Sequence, residues 1–343
     1  MKIRKLLSLS AVLLLSFMLS VSCHTGTDRV NEPTLTNYPA IVIGYSNWAG
    51  WWPWAIAESE GLFAANGINV ELRWFDDYTA SMEALANGRL DGNCQTLNDT
   101  ISFANTAING AVVVLVNDNS AGNDKIIVAP GINTVKDLKG KTVALEEGVV
   151  NDFLLSLALE KYGLSRNDVI IRGMNTGDAA AAFSLGEVDA VGAFPPFWSI
   201  ALEREGSKEL ISSQEFPGAI PDLLVVTQKL IDEQPEQVQG LVNTWFDILN
   251  FIENNPQRAD QIMAQRANVS VQDLQKFKTG TNLFTIEDNL VAFSPGNTMK
   301  SMPLAAAKMV EFMVKVGFLA EENIPDLNKM FNDSFIQKYA TQQ

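Results

Sequence analysis

An α/β fold of two lobes is what this sequence predicts, on three observations. Short apolar runs alternate with helical patterns from residue 40 onward, and the alternation starts afresh after Asn117. Of the 343 residues, 47% are hydrophobic and 19% charged, enough for two medium cores. A single doubly wound domain would need an unusually wide sheet for this many strands.

The first lobe opens with a strand over 40–44, a helix over 53–63 and a strand over 69–72, a βαβ rhythm. A helix over 79–87, a strand at 91–95, a helix over 98–106 and the β-branched run 111–116 extend it into a parallel-type sheet. The second lobe runs through strand 125–129, the turn Pro130-Gly131, strand 141–145, helix 151–162, strand 168–172, helix 179–185 and strand 189–193. Residues 223–226 supply one more strand. Everything past Lys229 reads as helix, punctuated by Pro235, Pro256, Pro295 and Pro303. The chain is thus expected to return to its first lobe, giving lobe 1 as 39–121 with 217–343, lobe 2 as 122–216, and two crossings between them.

Lys2, Arg4 and Lys5 precede an apolar run over 6–19 that ends in small residues, the pattern of a signal peptide covering 1–22. That run is too short to span a bilayer, which takes about 20 apolar residues. Cys23 follows Leu19-Ser20-Val21-Ser22, which resembles the lipobox of bacterial lipoproteins, although Ser20 stands where that pattern prefers Leu. The expected location is therefore periplasmic or at the cell surface, with a lipid on Cys23 and residues 23–38 as a polar tether. Cys94 is left without a partner, which excludes a disulfide framework and reads as a small buried residue.

A formal net charge of -15 disfavours nucleic acid and anionic membrane as partners. The only histidine is His24, so no Ser-His-Asp or Cys-His pair and no histidine-based metal site is available. No phosphate-binding glycine loop is present, and no metal, cofactor or catalytic residue is expected.

Several stretches carry a resemblance: GLF at 61–63, NGINVEL at 66–72, ALANGRLDG at 84–92, VKDLKGKTVAL at 135–145 and DAAAAFSLGEVDA at 178–190. Together they resemble the nitrate, sulfonate and taurine branch of the periplasmic binding proteins of ABC importers, over about residues 40–230. The resemblance implies the two-lobed type II periplasmic binding protein fold, a monomeric receptor without catalysis, and a permease and an ATPase as partners. It also implies a solute held between the lobes, on loops at the carboxyl ends of the strands.

Those loops can be read for chemistry. Residues 45–54 hold four of the seven tryptophans, Trp48, Trp51, Trp52 and Trp54. Asp76, Asp77, Asp118, Asp124, Glu146, Glu147, Asp152 and Asp178 all fall in such loops, with Lys125 as the only flanking base. Acids with aromatics suit a cation, which gains carboxylate hydrogen bonds and the negative face of indole. Any one acid could equally be a helix cap, and any one tryptophan a core residue. Two departures from the sulfonate-type pattern agree with a cation: Val149 and Val150 replace small hydroxyl residues after Gly148, and Pro195 stands where an acid often precedes the proline.

The expected ligand is a small organic cation, guanidinium first and a quaternary ammonium second. Trp48 and Trp52 would be stacking walls, Asp118 and Glu146 the charge partners, Asp76 and Asp152 secondary acids, and Thr96 and Phe197 the rim. The rival within the binding class is a neutral or anionic solute such as urea, taurine, an alkyl sulfonate or nitrate, which the helix start at Pro53 would favour. An enzyme of the thiamine-pyrimidine synthase type would need a substrate histidine and a metal-binding cysteine run, and this chain has neither.

The anchor is open to a direct test. Replacing Cys23→Ser should move the protein from the membrane fraction to the soluble fraction, and equal partition of both forms would refute acylation.

Overall fold

The computed structural model describes residues 39–342, so the expected signal peptide, Cys23 and tether lie outside it. Among the described residues eleven strands form two sheets. The first contains β1 (Ile41–Tyr45), β2 (Val70–Trp74), β3 (Gly92–Thr96) and β4 (Val112–Ser120). The second contains β5 (Lys125–Val128), β6 (Thr142–Leu145), β7 (Ile170–Gly173), β8 (Ala190–Ala193) and β9 (Lys208–Ser212). The chain then adds β10 (Pro221–Val226) and β11 (Thr281–Leu283) to the first sheet. The strand orders are β11-β4-β10-β3-β1-β2 and β7-β6-β8-β5-β9.

Both sheets have helices about them, and their central strands are buried on both faces, which is why β4 carries the run Val112-Val113-Val114-Leu115-Val116. Two matching aspartates explain two of the sequence motifs. Asp91, ending ALANGRLDG, accepts a hydrogen bond from the Val42 backbone N–H at 2.9 Å, and Asp189, in GEVDA, accepts one from Thr142 N at 3.0 Å. Each ties the start of one strand to its parallel neighbour.

The sheets are mixed rather than parallel throughout. The pairs β1–β2, β1–β3, β6–β7 and β6–β8 are parallel, as βαβ units require, whereas β10 runs antiparallel between β3 and β4. β5 is likewise antiparallel to β8 and β9. The two crossings account for this: β5 is the first strand after the chain leaves the first sheet, and β10 the first after it returns. β11 corrects the expectation that everything past Lys229 is helical, because its three residues are held as an edge strand by pairing with β4 and show no period of their own; β9 and the short helix Phe197–Ala201 were not read from the sequence.

Two segments join the sheets, 121–124 between β4 and β5, and 213–220 between β9 and β10. They are bonded to one another: the Ser120 and Ser213 hydroxyls are 2.7 Å apart, Ser213 N donates to Asp124 O at 2.9 Å, and Ser120 N donates to Ile220 O at 2.9 Å. A side chain at either junction therefore stands beside the cleft and beside the other junction.

Candidate functional site

The antiparallel placement of β10 decides the local chemistry. Asp222, second residue of that strand, is paired in register with Thr96 on β3 and with Asp118 on β4. Asp124 arrives from the other junction. Above these residues the loop after β1 folds into tight turns, with Trp51 N and Trp52 N both donating to Trp48 O. Gly50 makes this close approach possible, because a Cβ there would lie 1.8 Å from Asp118 Oδ2. Asp77 caps the helix Tyr78–Ala86 through Ala80 N at 2.9 Å and so sets Tyr78 at its first turn.

These elements bound a small, tight cavity between the two sheets, lined by Asn47, Trp48, Trp51, Tyr78, Thr96, Asp124, Val150, Phe194 and Asp222. Its aromatic wall is continuous: Trp48 to Trp51 at 6.3 Å between ring centroids, Trp51 to Tyr78 at 5.6 Å, and Tyr78 to Phe194 at 6.5 Å. No lysine or arginine lines it.

The electrostatics are one-sided. Asp99, Asp118, Asp124, Glu146 and Asp222 are all buried, and among the described residues none of the five forms an ion pair. One carboxyl oxygen each of Asp118, Asp124, Asp222 and Glu146 has no hydrogen-bond partner. Asp118 accepts from Trp48 Nε1 at 2.9 Å on its other oxygen. Asp99 accepts from the Tyr78 hydroxyl at 2.9 Å and the Thr96 hydroxyl at 2.7 Å. Burial, the leading cause in every case, pushes Asp99 and Asp124 up to about 7 and Glu146 up to about 8. Asp118 and Asp222 are driven well above the usual carboxylate range, by burial first.

The expected site residues separate into two groups. Trp48 and Thr96 line the cavity and Asp118 stands directly behind Trp48, whereas Glu146 is buried nearby and takes an N–H from Thr176 at 3.3 Å. The other four are drawn elsewhere. Trp52 packs on Phe277 at 5.9 Å, and Trp51 occupies the place given to it. Asp76 is exposed and accepts from Trp74 Nε1 at 2.8 Å. Asp152 is buried but already neutralised by Arg166 at 2.9 Å, and it accepts Gly148 N at 2.9 Å. Phe197 packs on Phe194 at 5.7 Å, and Phe194 is the ring that faces the cavity. Asp222 and Asp99 escaped the sequence reading, and Asn47 and Tyr78, though in loops expected near the ligand, were given no role in it. An acid opening an otherwise apolar strand was the available signal for Asp222.

With this geometry in view, a model of the NMT1-like family matches residues 36–268. The chain belongs to the NMT1-like family. Among its relatives, a binding protein of Brucella abortus is 28% identical over 292 residues, covering 84% of this chain and 86% of the relative. The taurine-binding periplasmic protein of Escherichia coli is 25% identical over 222 residues, covering 64% and 68%. Among solved structures, the alkanesulfonate-binding protein from Xanthomonas axonopodis pv. citri bound to MOPS superposes with a TM-score of 0.72 at 18% identity, covering 86% of this chain and 99% of that one. This NMT1-like protein has the periplasmic binding protein fold, and the relatives it matches in sequence are binding proteins. Among the described residues no helix is long and apolar enough to cross a membrane, and no group of three or more acidic, histidine or cysteine side chains could hold a metal ion.

The raised carboxyls fix a sign for stability. Asp99, Asp124 and Glu146 titrate near 7 to 8 when folded and about 4 when unfolded. Between those values the folded protein holds more protons, so its stability is fully present below about pH 4 and is lost as pH rises through 7 to 8. The ligand-free protein should melt several degrees lower at pH 8.5 than at pH 5.5, at roughly 2 °C per kcal/mol for a chain of this size. A melting temperature that rises over that range in a scanning calorimeter would contradict the assignment of these groups.

Proposed function

We propose that this protein is the extracytoplasmic receptor of an ABC importer for a small organic cation, with guanidinium the first candidate. The observation that carries the reading is the cavity itself: an aromatic wall, carboxyl oxygens of Asp124 and Asp222 without partners, and no basic side chain in the lining. A buried carboxylate lacking a counter-charge costs several kcal/mol, and a bound cation removes that cost. Guanidinium suits it because a flat face can lie on Trp48 or Trp51 while in-plane N–H groups reach Asp222, Asp124 and the Asn47 carbonyl. In this reading Trp48 and Trp51 are the walls, Asp118, Asp124 and Asp222 the charge partners, and Thr96 and Phe194 the rim. Asp99 and Glu146 add negative field from behind.

The same reading has lobe 1 (39–121 with 217–343) and lobe 2 (122–216) closing on the cation, delivering it to a permease driven by an ATPase. A lipid on Cys23 would hold the receptor at the outer face of the cytoplasmic membrane or in the periplasm. The relatives' names favour a second reading, a taurine or alkyl sulfonate receptor. An oxyanion at this cavity would require Asp124 and Asp222 to stay protonated, since either of them ionised in a dry site would repel it strongly.

Calorimetry on the protein decides between them. Guanidinium should bind, and Asp222→Asn and Trp51→Ala should each weaken it, the acid more, by about tenfold to a hundredfold for a charge-assisted hydrogen bond of roughly 1.5 to 3 kcal/mol. Tetramethylammonium, which has no N–H, should bind more weakly than guanidinium. Tight binding of taurine or an alkyl sulfonate, with no heat from either cation, would overturn the reading.

A further inference from the structure

Asp118 and Asp222 face one another across neighbouring antiparallel strands, both buried, and each keeps one carboxyl oxygen without a hydrogen-bond partner. Two buried carboxyls side by side without a counter-charge cannot both ionise, so the empty pair keeps a proton. The surroundings supply no alternative counter-charge. From the crossing comes Asp124, from the helix Leu97–Phe103 comes Asp99, and Glu146 lies within reach of Asp99 and Asp77. Cys94 on β3 stands beside the pair as a thiol, its ionisation opposed by burial and by both aspartates. Lys125, next to Asp124 in the chain, has its ammonium engaged by Glu209 at 2.5 Å and placed 5.1 Å over the Trp198 ring.

We propose that the cleft exchanges a proton for its cation: empty, Asp118 and Asp222 share one proton, and the entering cation takes its place and releases it to solvent. The balance is simple. A singly protonated pair plus one monovalent cation gives two carboxylates holding the cation plus one free proton, so the charge of the buried pair and its contents stays at one negative unit throughout. Trp48 Nε1, fixed on Asp118 Oδ1, leaves Oδ2 of that group for the proton, and Asp222 Oδ2 is equally unpartnered. The consequence is a receptor that loads at neutral to alkaline pH and unloads in acid, with closure available to the protonated empty form as well as the liganded one. The inference rests on the cationic reading given above.

The test is titration of guanidinium chloride into the protein at pH 7, in buffers of differing ionisation enthalpy. The observed heat should vary with the buffer, corresponding to release of up to one proton per guanidinium. Affinity should strengthen by as much as about tenfold per pH unit across the titration of the pair. Asp222→Asn, which keeps the shape of the side chain, should lose most of the proton release even where some binding persists. A merely structural role for Asp222 would lower affinity and leave the proton count unchanged. Guanidinium bound with buffer-independent heat and pH-independent affinity overturns the exchange and leaves the cation reading standing. That measurement needs only the unmodified protein. No heat from any cation, with taurine bound instead, overturns the cation reading itself.

Discussion

Carboxyl groups removed from water without a counter-charge are among the costliest features a fold can carry, and this one gathers Asp99, Asp118, Asp124, Asp222 and Glu146 around a single cleft. Each of the ordinary remedies is visible elsewhere in the same molecule. Asp152 is just as buried, and Arg166 answers it with a three-contact fork. Asp91 and Asp189 are spent on backbone amides. At the cleft the protein supplies hydroxyls, one side-chain amide, one indole N–H and a backbone amide, which leave oxygens of four of the five acids unanswered. The remaining negative field has to be met by protons or by a cation from outside.

That arrangement follows from topology. Returning from the second sheet, the chain inserts β10 antiparallel between β3 and β4, and this register alone sets Asp222 beside Thr96 and opposite Asp118. The bonded crossings bring Asp124 to the same place. Asp124 closes one junction and Asp222 lies two residues past the other, so the charge of the cleft is gathered where the two sheets are joined.

Much of this was legible in the sequence, and the failures have specific causes. The alternation of runs and helical patterns revealed the α/β class and the two sheets, because a buried strand and an amphipathic helix leave different periods. The acid-rich, base-poor loops revealed the sign of the field. Which tryptophan faces the cavity was not readable, since 48–53 is a series of turns without a repeating face, and Trp51 rather than Trp52 turned inward. Asp222 was hidden because a parallel sheet was assumed, and its neighbours are defined only by the antiparallel register. Asp152 looked available because Arg166, its partner, lies 14 residues on in a separate turn.

The central claim is that the cavity between Trp48, Trp51 and Phe194 receives a cation on Asp222 and Asp124. A crystal structure of the protein grown with guanidinium tests it most directly. The account predicts flat, three-armed density in that cavity, with nitrogens about 2.7 to 2.9 Å from carboxylate oxygens of Asp222 and Asp124. An empty cavity at saturating guanidinium, or a sulfonate seated there on backbone amides, would contradict it.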